Sequence, residues 1–222
     1  MPADMIISYD GTANDDDAIA LGKLLALNGT KVALAFVRHA PEIDPQRESL
    51  AQHDAESKLE RGAELLGDAA IPRHIVFSAA TGVGLEELAK SEGASLIVFG
   101  SDYRTPPGHA EPPTSAQQLL EIGTVGIAIA AAGLRAEDAS ITKVAVAAAE
   151  PGDAAELTAE ALASKLGAEL IGASAAGAEL IVVGSQTGAP QGRLALSGSA
   201  RALLDASRAS VIVVPSGTPL LV

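Results

Sequence analysis

The chain has 222 residues, 28 acidic against 15 basic, a net charge of −13 and no cysteine. The length suits one large domain or two small ones. The acidity argues against a nucleic-acid partner, and the missing thiols exclude disulfides, thiol catalysis and thiolate metal sites. Apolar residues make up 48% and aromatic ones only 2%, so the core must be built from small aliphatic side chains in closely packed layers of helix on sheet.

Met5–Tyr9 reads as a short apolar strand ending in Asp10-Gly11-Thr12. A helix follows from about Asn14 to Ala26, with Thr12 or Asn14 as its cap and an apolar stripe through Ala18, Ile19, Leu21, Leu24 and Leu25. Asp15, Asp16 and Asp17 fall in its first turn, where the helix dipole favours negative charge. Because they are sequential, they would point around the helix rather than converge on a metal. Asn28-Gly29 closes this helix.

A second strand spans Lys31–Val37, a loop Arg38–Pro45, an amphipathic helix Arg47–Leu66 and a third strand Arg73–Ser78. Thr81-Gly-Val-Gly84 opens a helix that runs on from Leu85 to Glu92. Its glycines are too few and too close for a dinucleotide fingerprint. That helix leads into the next strand, within Gly93–Ser101, and Val125–Ala130 is the last strand of this half. Strands alternating with helices indicate an α/β fold, a doubly wound parallel five-stranded sheet with right-handed crossovers.

The chain then repeats itself. Gly93-Ala-Ser-Leu-Ile-Val-Phe-Gly-Ser101 matches Gly177-Ala-Glu-Leu-Ile-Val-Val-Gly-Ser185, and fourteen positions separate Gly100 from Thr114-Ser115 just as they separate Gly184 from Gly198-Ser199. Such self-similarity indicates duplication, with units 1–134 and 141–222 joined by a polar linker at Arg135–Ser140. In each unit an apolar strand, a loop with glycines and a helix start follow one another. That arrangement offers free N–H groups and a positive dipole end to an anion, with Ser199 as N-cap or extra donor.

The second unit is shortened. Lys143–Ala149 and Ala154–Leu166 correspond to the first strand and helix, but Val144 to Ile181 spans 37 positions where Ile6 to Ile97 spans 91. A second strand at 169–172 would leave only a few residues to cross the sheet, and parallel crossovers usually need a dozen or more. Residues 169–176 are therefore expected to be a helix remnant, leaving a three-stranded unit that ends in Leu180–Val183 and Val211–Val214. Its exposed first strand would invite a second chain, hence a homodimer.

Taken together, the strand ending in Asp10-Gly-Thr, the Thr81-Gly-Val-Gly-Leu-Glu-Glu-Leu-Ala start and the glycine loop closed by Gly-Ser resemble the universal stress protein family in tandem form. The resemblance implies an adenine nucleotide alpha hydrolase-like sheet in each unit, duplicated with the second copy truncated, and an internal pseudo-dimer paired through the last strands. It also implies that ATP or AMP is the ligand where one binds. In ATP-binding members an aspartate after the first strand and a valine ending the second hold adenine and ribose; Asp10, next to Tyr9, and Val37 match them. Gly100 matches the first loop glycine, with Ser101, Gly108 and Ser115 following. In the second unit the matching positions are Gly184, Ser185, Gly188, Gly198 and Ser199.

Neither unit carries the whole pattern. The first loop holds four prolines, which donate no N–H, two acidic residues, Asp102 and Glu111, and Thr114 in place of the closing glycine. The second keeps its loop, but Ala148 stands where Asp10 would be. The expected function is therefore a non-catalytic stress regulator or scaffold with a degenerate nucleotide site; an ATP or AMP sensor using the first-unit residues is the alternative, and a slow nucleotide hydrolase a third reading.

Other chemistry finds little footing. No Gly-Lys-Ser/Thr phosphate loop occurs, the four histidines (His39, His53, His74, His109) lack metal-ligand spacing, and no serine has an evident His/Asp partner. His109 could touch a phosphate, and Arg193 and Arg201 flank the second loop, where they could neutralise an anion or simply be solvated. The start Met-Pro-Ala-Asp shows no signal segment and the longest apolar run, Ile122–Leu134, is too short for a bilayer; a cytoplasmic location without a membrane is expected.

Overall fold

A computed structural model describes residues 3–26, 29–136, 139–172 and 177–220. Six helices and nine strands are present among them: β1 (Met5–Ser8), α1 (Ala13–Leu25), β2 (Val32–Arg38), α2 (Pro45–Leu66), β3 (Arg73–Phe77), α3 (Thr81–Glu92), β4 (Leu96–Phe99), α4 (Thr114–Ile122), β5 (Gly126–Ile129), β6 (Lys143–Ala147), α5 (Ala154–Leu166), β7 (Glu169–Gly172), β8 (Leu180–Gly184), α6 (Gly198–Ala206) and β9 (Ser210–Val214). They form one sheet in the order β3-β2-β1-β4-β5-β9-β8-β6-β7. Every pairing is parallel except β5 with β9, which is antiparallel.

The inner strands β1, β4, β5, β8 and β9 are almost wholly apolar because both faces are covered, whereas the edge strands β3 and β7 are partly exposed. Met5, Ile7, Val98, Val144 and Val182 pack under α1, α2 and α5. Ile6, Ile97, Phe99, Ile181 and Val183 point the other way, under α3, α4 and α6. In the first half β1 lies between β2 and β4, and in the second β6 lies between β7 and β8, so helices leave in opposite directions there and open a crevice at the carboxyl ends.

The helix ends follow local chemistry. Thr12 caps α1 in a capping box with Asp15, one of the two caps the sequence suggested. Asp44 caps α2, accepting from Gln46 and Arg47 N–H, with Pro45 as its first residue; proline suits that position because its missing N–H would be unpaired anyway. The helix thus begins two residues before the expected Arg47.

The expected helix remnant at 169–176 is corrected: Glu169–Gly172 is a strand, parallel to β6, and 173–176 lie outside the described residues, as does Asn28. The crossing from β7 over β6 to β8 is short because little distance separates its ends. Gly172 is level with Val146, and Leu180 with Val144. The return is two rungs along and two strands across, roughly 12 Å in straight line, while eight chain steps reach roughly 26 Å. The second half therefore has four strands, and β7, not β6, is its outer edge.

The β5–β9 register has an internal regularity. Ile127 pairs with Val213, Ala128 with Ile212 and Ile129 with Val211. Adding the repeat offset to one strand returns the other, so the pairing maps onto itself about Ala128 and Ile212.

Candidate functional site

Each half carries the same loop after its fourth-type strand, and the hydrogen bonds repeat partner for partner. Ser101 Oγ donates to Ala130 O at 2.6 Å and accepts from Glu111 N–H. Ser185 Oγ donates to Val214 O at 2.9 Å and accepts from Ala195 N–H. Backbone bonds Asp102 N–H to Glu111 O, Gly108 N–H to Ala132 O and His109 N–H to Pro106 O recur as Gln186 to Ala195, Gly192 to Ser216 and Arg193 to Pro190. Gly108 and Gly192 both take positive φ, 82° and 73°, which only glycine adopts freely. Gly108 is thus the counterpart of Gly192, and the counterpart of Gly188 is Arg104.

Both candidate serines are buried and bonded inside the protein, so their hydroxyls hold the loop to the next strand. Gly100 and Gly184 are required by close approach. A Cβ on Gly100 would lie 2.0 Å from Asn14 O, and one on Gly184 2.8 Å from Asp153 Oδ2. Gly82 similarly admits the Ser115 carbonyl, at 2.5 Å from a built Cβ, so the α3 start packs on the α4 start.

In the first half the loop is tied to α1. Asn14 Nδ2 donates to Ser101 O at 2.7 Å and to Asp102 O at 2.8 Å, and α4 begins after Pro113 with no side-chain cap. Asp10 is exposed at the end of β1, where its Oδ1 accepts Thr12 N–H. Asp15 Oδ2 accepts from Asp10 N–H, Thr12 N–H and Thr12 Oγ1. Burial, then the adjoining Asp10 carboxyl, push the Asp15 carboxyl up to about 7, against the Thr12 bond. Val37 is half-buried one residue before the end of β2.

The three aspartates do separate work, as their sequential placement implied. Tyr9 is fully buried, and its hydroxyl donates to Asp16 Oδ1 at 2.8 Å while Arg61 holds Asp16 Oδ2 at 2.6 Å. Burial, then the Asp16 bond, raise the Tyr9 phenol above its ordinary range. Asp17, fully buried, accepts Gly133 N–H, Arg135 N–H and Arg135 Nη1. No cluster of His, Cys, Asp and Glu among the described residues is arranged to hold a metal.

In the second half a cleft of about 810 Å³ opens between the end of β6 and the start of α6. Ala147, Ala148 and Ala149 form one wall, Gln186 and Thr187 the loop side, Ser197 and Ser199 the helix end. Among the described residues, none that lines it is charged. The cap of α6 is Ser197, whose Oγ accepts Ala200 N–H at 3.1 Å. Ser199, suggested as that cap, instead lies inside the helix, its hydroxyl 2.9 Å from that of Ser197.

One further expectation is corrected. Ile6 pairs with Ile97 and Ala145 with Ile181, so the residue at Asp10's place is Ala149, one later than Ala148. Arg193 and Arg201 do not serve the cleft: Arg193 Nη1 donates to Ile122 O at 2.7 Å, and Arg201 faces Glu121 at 3.8 Å. Both reach across to the end of α4. His109 enters the loop network through its backbone.

Missed by sequence reasoning were Asn14, whose carboxamide clamps the first loop, and Asp153, which caps α5 and whose Oδ2 also accepts Ala149 N–H at 2.7 Å. An Asx residue before an apolar helix signals a cap, but not the second bond.

No family model matches the sequence and no curated protein is similar to it. Solved structures do match. A universal stress protein from Archaeoglobus fulgidus DSM 4304 superposes with a TM-score of 0.71 over 97% of this chain and 99% of its own, at 15% identity. A putative universal stress protein from Pseudomonas aeruginosa UCBPP-PA14 gives 0.65 over 97% and 94%, at 13% identity. The chain has the fold of these universal stress proteins: helices on both faces of a mostly parallel sheet.

Proposed function

We propose that this chain is a non-catalytic, cytoplasmic universal stress-type protein, a regulator or scaffold made of two copies of one unit. Units 1–134 and 141–222 form an internal pseudo-dimer through β5 and β9, and the self-mapping register of those strands supports that reading. The nucleotide site is degenerate, and ATP or AMP binds weakly or not at all.

One observation carries the proposal: the parts of a nucleotide site are divided between the halves. The half that keeps Asp10 has its loop clamped by Asn14 and stiffened by proline. The half that keeps the open α6 start has Ala149 in the aspartate's place and a cleft with no cation among the described residues that line it. Phosphates bound there would rely on backbone N–H groups and the helix dipole alone. A hydrolase would also need a positioned base, and Asp153, beside Gly184, is spent on Ala149, Ala155 and Glu156 N–H groups.

The open cleft favours a second reading, a nucleotide sensor acting through the second half. Incubating the chain with Mg·ATP and following both bound nucleotide and released ADP separates these. The scaffold reading expects neither retention nor ADP. Retained, intact ATP would replace it with the sensor, and sustained ADP release would make the protein an enzyme.

A further inference from the structure

A second cavity lies at the opposite end of the sheet from the loops. It measures about 680 Å³ and sits where the amino ends of β1 and β2 meet the last turns of α1 and α2. Its apolar lining comes from Ala3, Val32, Leu66 and Ile71, with Ala3 and Ile71 buried. Lys23 and Lys31 stand on its rim. A volume of this size, apolar inside with a few charged groups at the edge, is that of a small-molecule site.

The charge on the rim is uncommitted. Neither lysine has an ion-pair partner among the described residues, although the chain has an acidic excess of 13. Asp68, the carboxylate that lines the cavity, turns into its own turn and accepts Ala70 N–H at 2.9 Å. Asp4 is likewise occupied, accepting Lys31 backbone N–H at 2.8 Å. The α1 dipole accounts for a lysine in that helix's last turn; it does not account for Lys31 or for the hollow between them.

We propose that this cavity binds a small amphipathic carboxylate, its hydrocarbon on Val32, Leu66 and Ile71 and its anionic head between Lys23 and Lys31. Apolar contact supplies affinity and the two ammonium groups select charge. The site is independent of the nucleotide loops, so it stands or falls separately from the function proposed above.

The test is titration of the intact chain with decanoate and with decanol, read by calorimetry and by amide chemical shifts. Decanoate should bind with shifts confined to the cavity lining, and decanol more weakly. In Lys23→Gln/Lys31→Gln, decanoate should weaken about tenfold while decanol is unchanged. Both lysines are exposed, so a thermal melt equal to wild type will confirm the fold. No decanoate binding, equal binding by the double variant, or shifts centred elsewhere would each overturn the proposal.

Discussion

Ser101 and Ser185 make the same two hydrogen bonds in the two halves, each tying a glycine loop to the carbonyl that ends the neighbouring strand, at 2.6 and 2.9 Å. These hydroxyls are part of the scaffold. Replacing either with alanine leaves a buried carbonyl and a loop N–H unpaired, at a cost of about 1–3 kcal/mol. Denaturant unfolding of Ser101→Ala and Ser185→Ala should show similar losses, with nucleotide affinity unaffected beyond them.

Gly100 opens the loop pattern of the first half and Gly198 closes that of the second, and they face different surroundings. A methyl group on Gly100 meets the Asn14 carbonyl, whereas nothing lies within 4 Å of one on Gly198. Gly100→Ala should therefore displace the α1 start and cost about 2–3 kcal/mol or more. Gly198→Ala should stay within about 0.5 kcal/mol of wild type. Thermal melts of the two variants decide this.

Asp17 joins α1 to the chain leaving the first half, through Arg135 and two backbone N–H groups. Asp17→Ala leaves these donors unpaired around a buried position and should cost about 3–5 kcal/mol. On the exposed face of α2, Lys58 Nζ pairs with Asp54 Oδ2 at 2.8 Å, and this pair serves as the control: Asp54→Ala should cost less than about 1 kcal/mol.

The Asp15 carboxyl titrates near 7 in the folded chain and at the ordinary 3.8 when unfolded. Between those values the native state binds the extra proton, so stability falls as pH rises through the window and levels off above it. The loss should be on the order of 1 kcal/mol, given partial exposure. Asp10→Asn removes the neighbouring charge and should narrow the window from its upper end. Urea midpoints measured from pH 4 to pH 8 would show a flat profile if Asp15 titrates normally.

The parallel sheet was legible because Leu96–Phe99 and Leu180–Gly184 are buried on both faces, which writes an unbroken apolar run into the chain. β7 was not, since Glu169-Leu-Ile-Gly is an exposed edge strand with no such run, and its short crossing depends on strand levels that only the fold supplies. The loop glycines were visible, but their work was not: Gly100 serves the approach of Asn14, a contact 86 positions away in the chain. The one-residue shift from Ala148 to Ala149 was hidden by the longer turn Ala149–Gly152 before Asp153. Arg193 and Arg201 flank the loop in sequence, which left anion contact and plain solvation both open, and their reach carries them to the end of α4.

The most direct test of the degenerate site is calorimetric titration of the purified chain with ATP and Mg²⁺, repeated on Asp10→Ala and Gly198→Glu. The account predicts no heat, or weak binding in the millimolar range that Gly198→Glu abolishes and Asp10→Ala leaves intact. Micromolar binding lost in Asp10→Ala would place an intact site in the first half and contradict it.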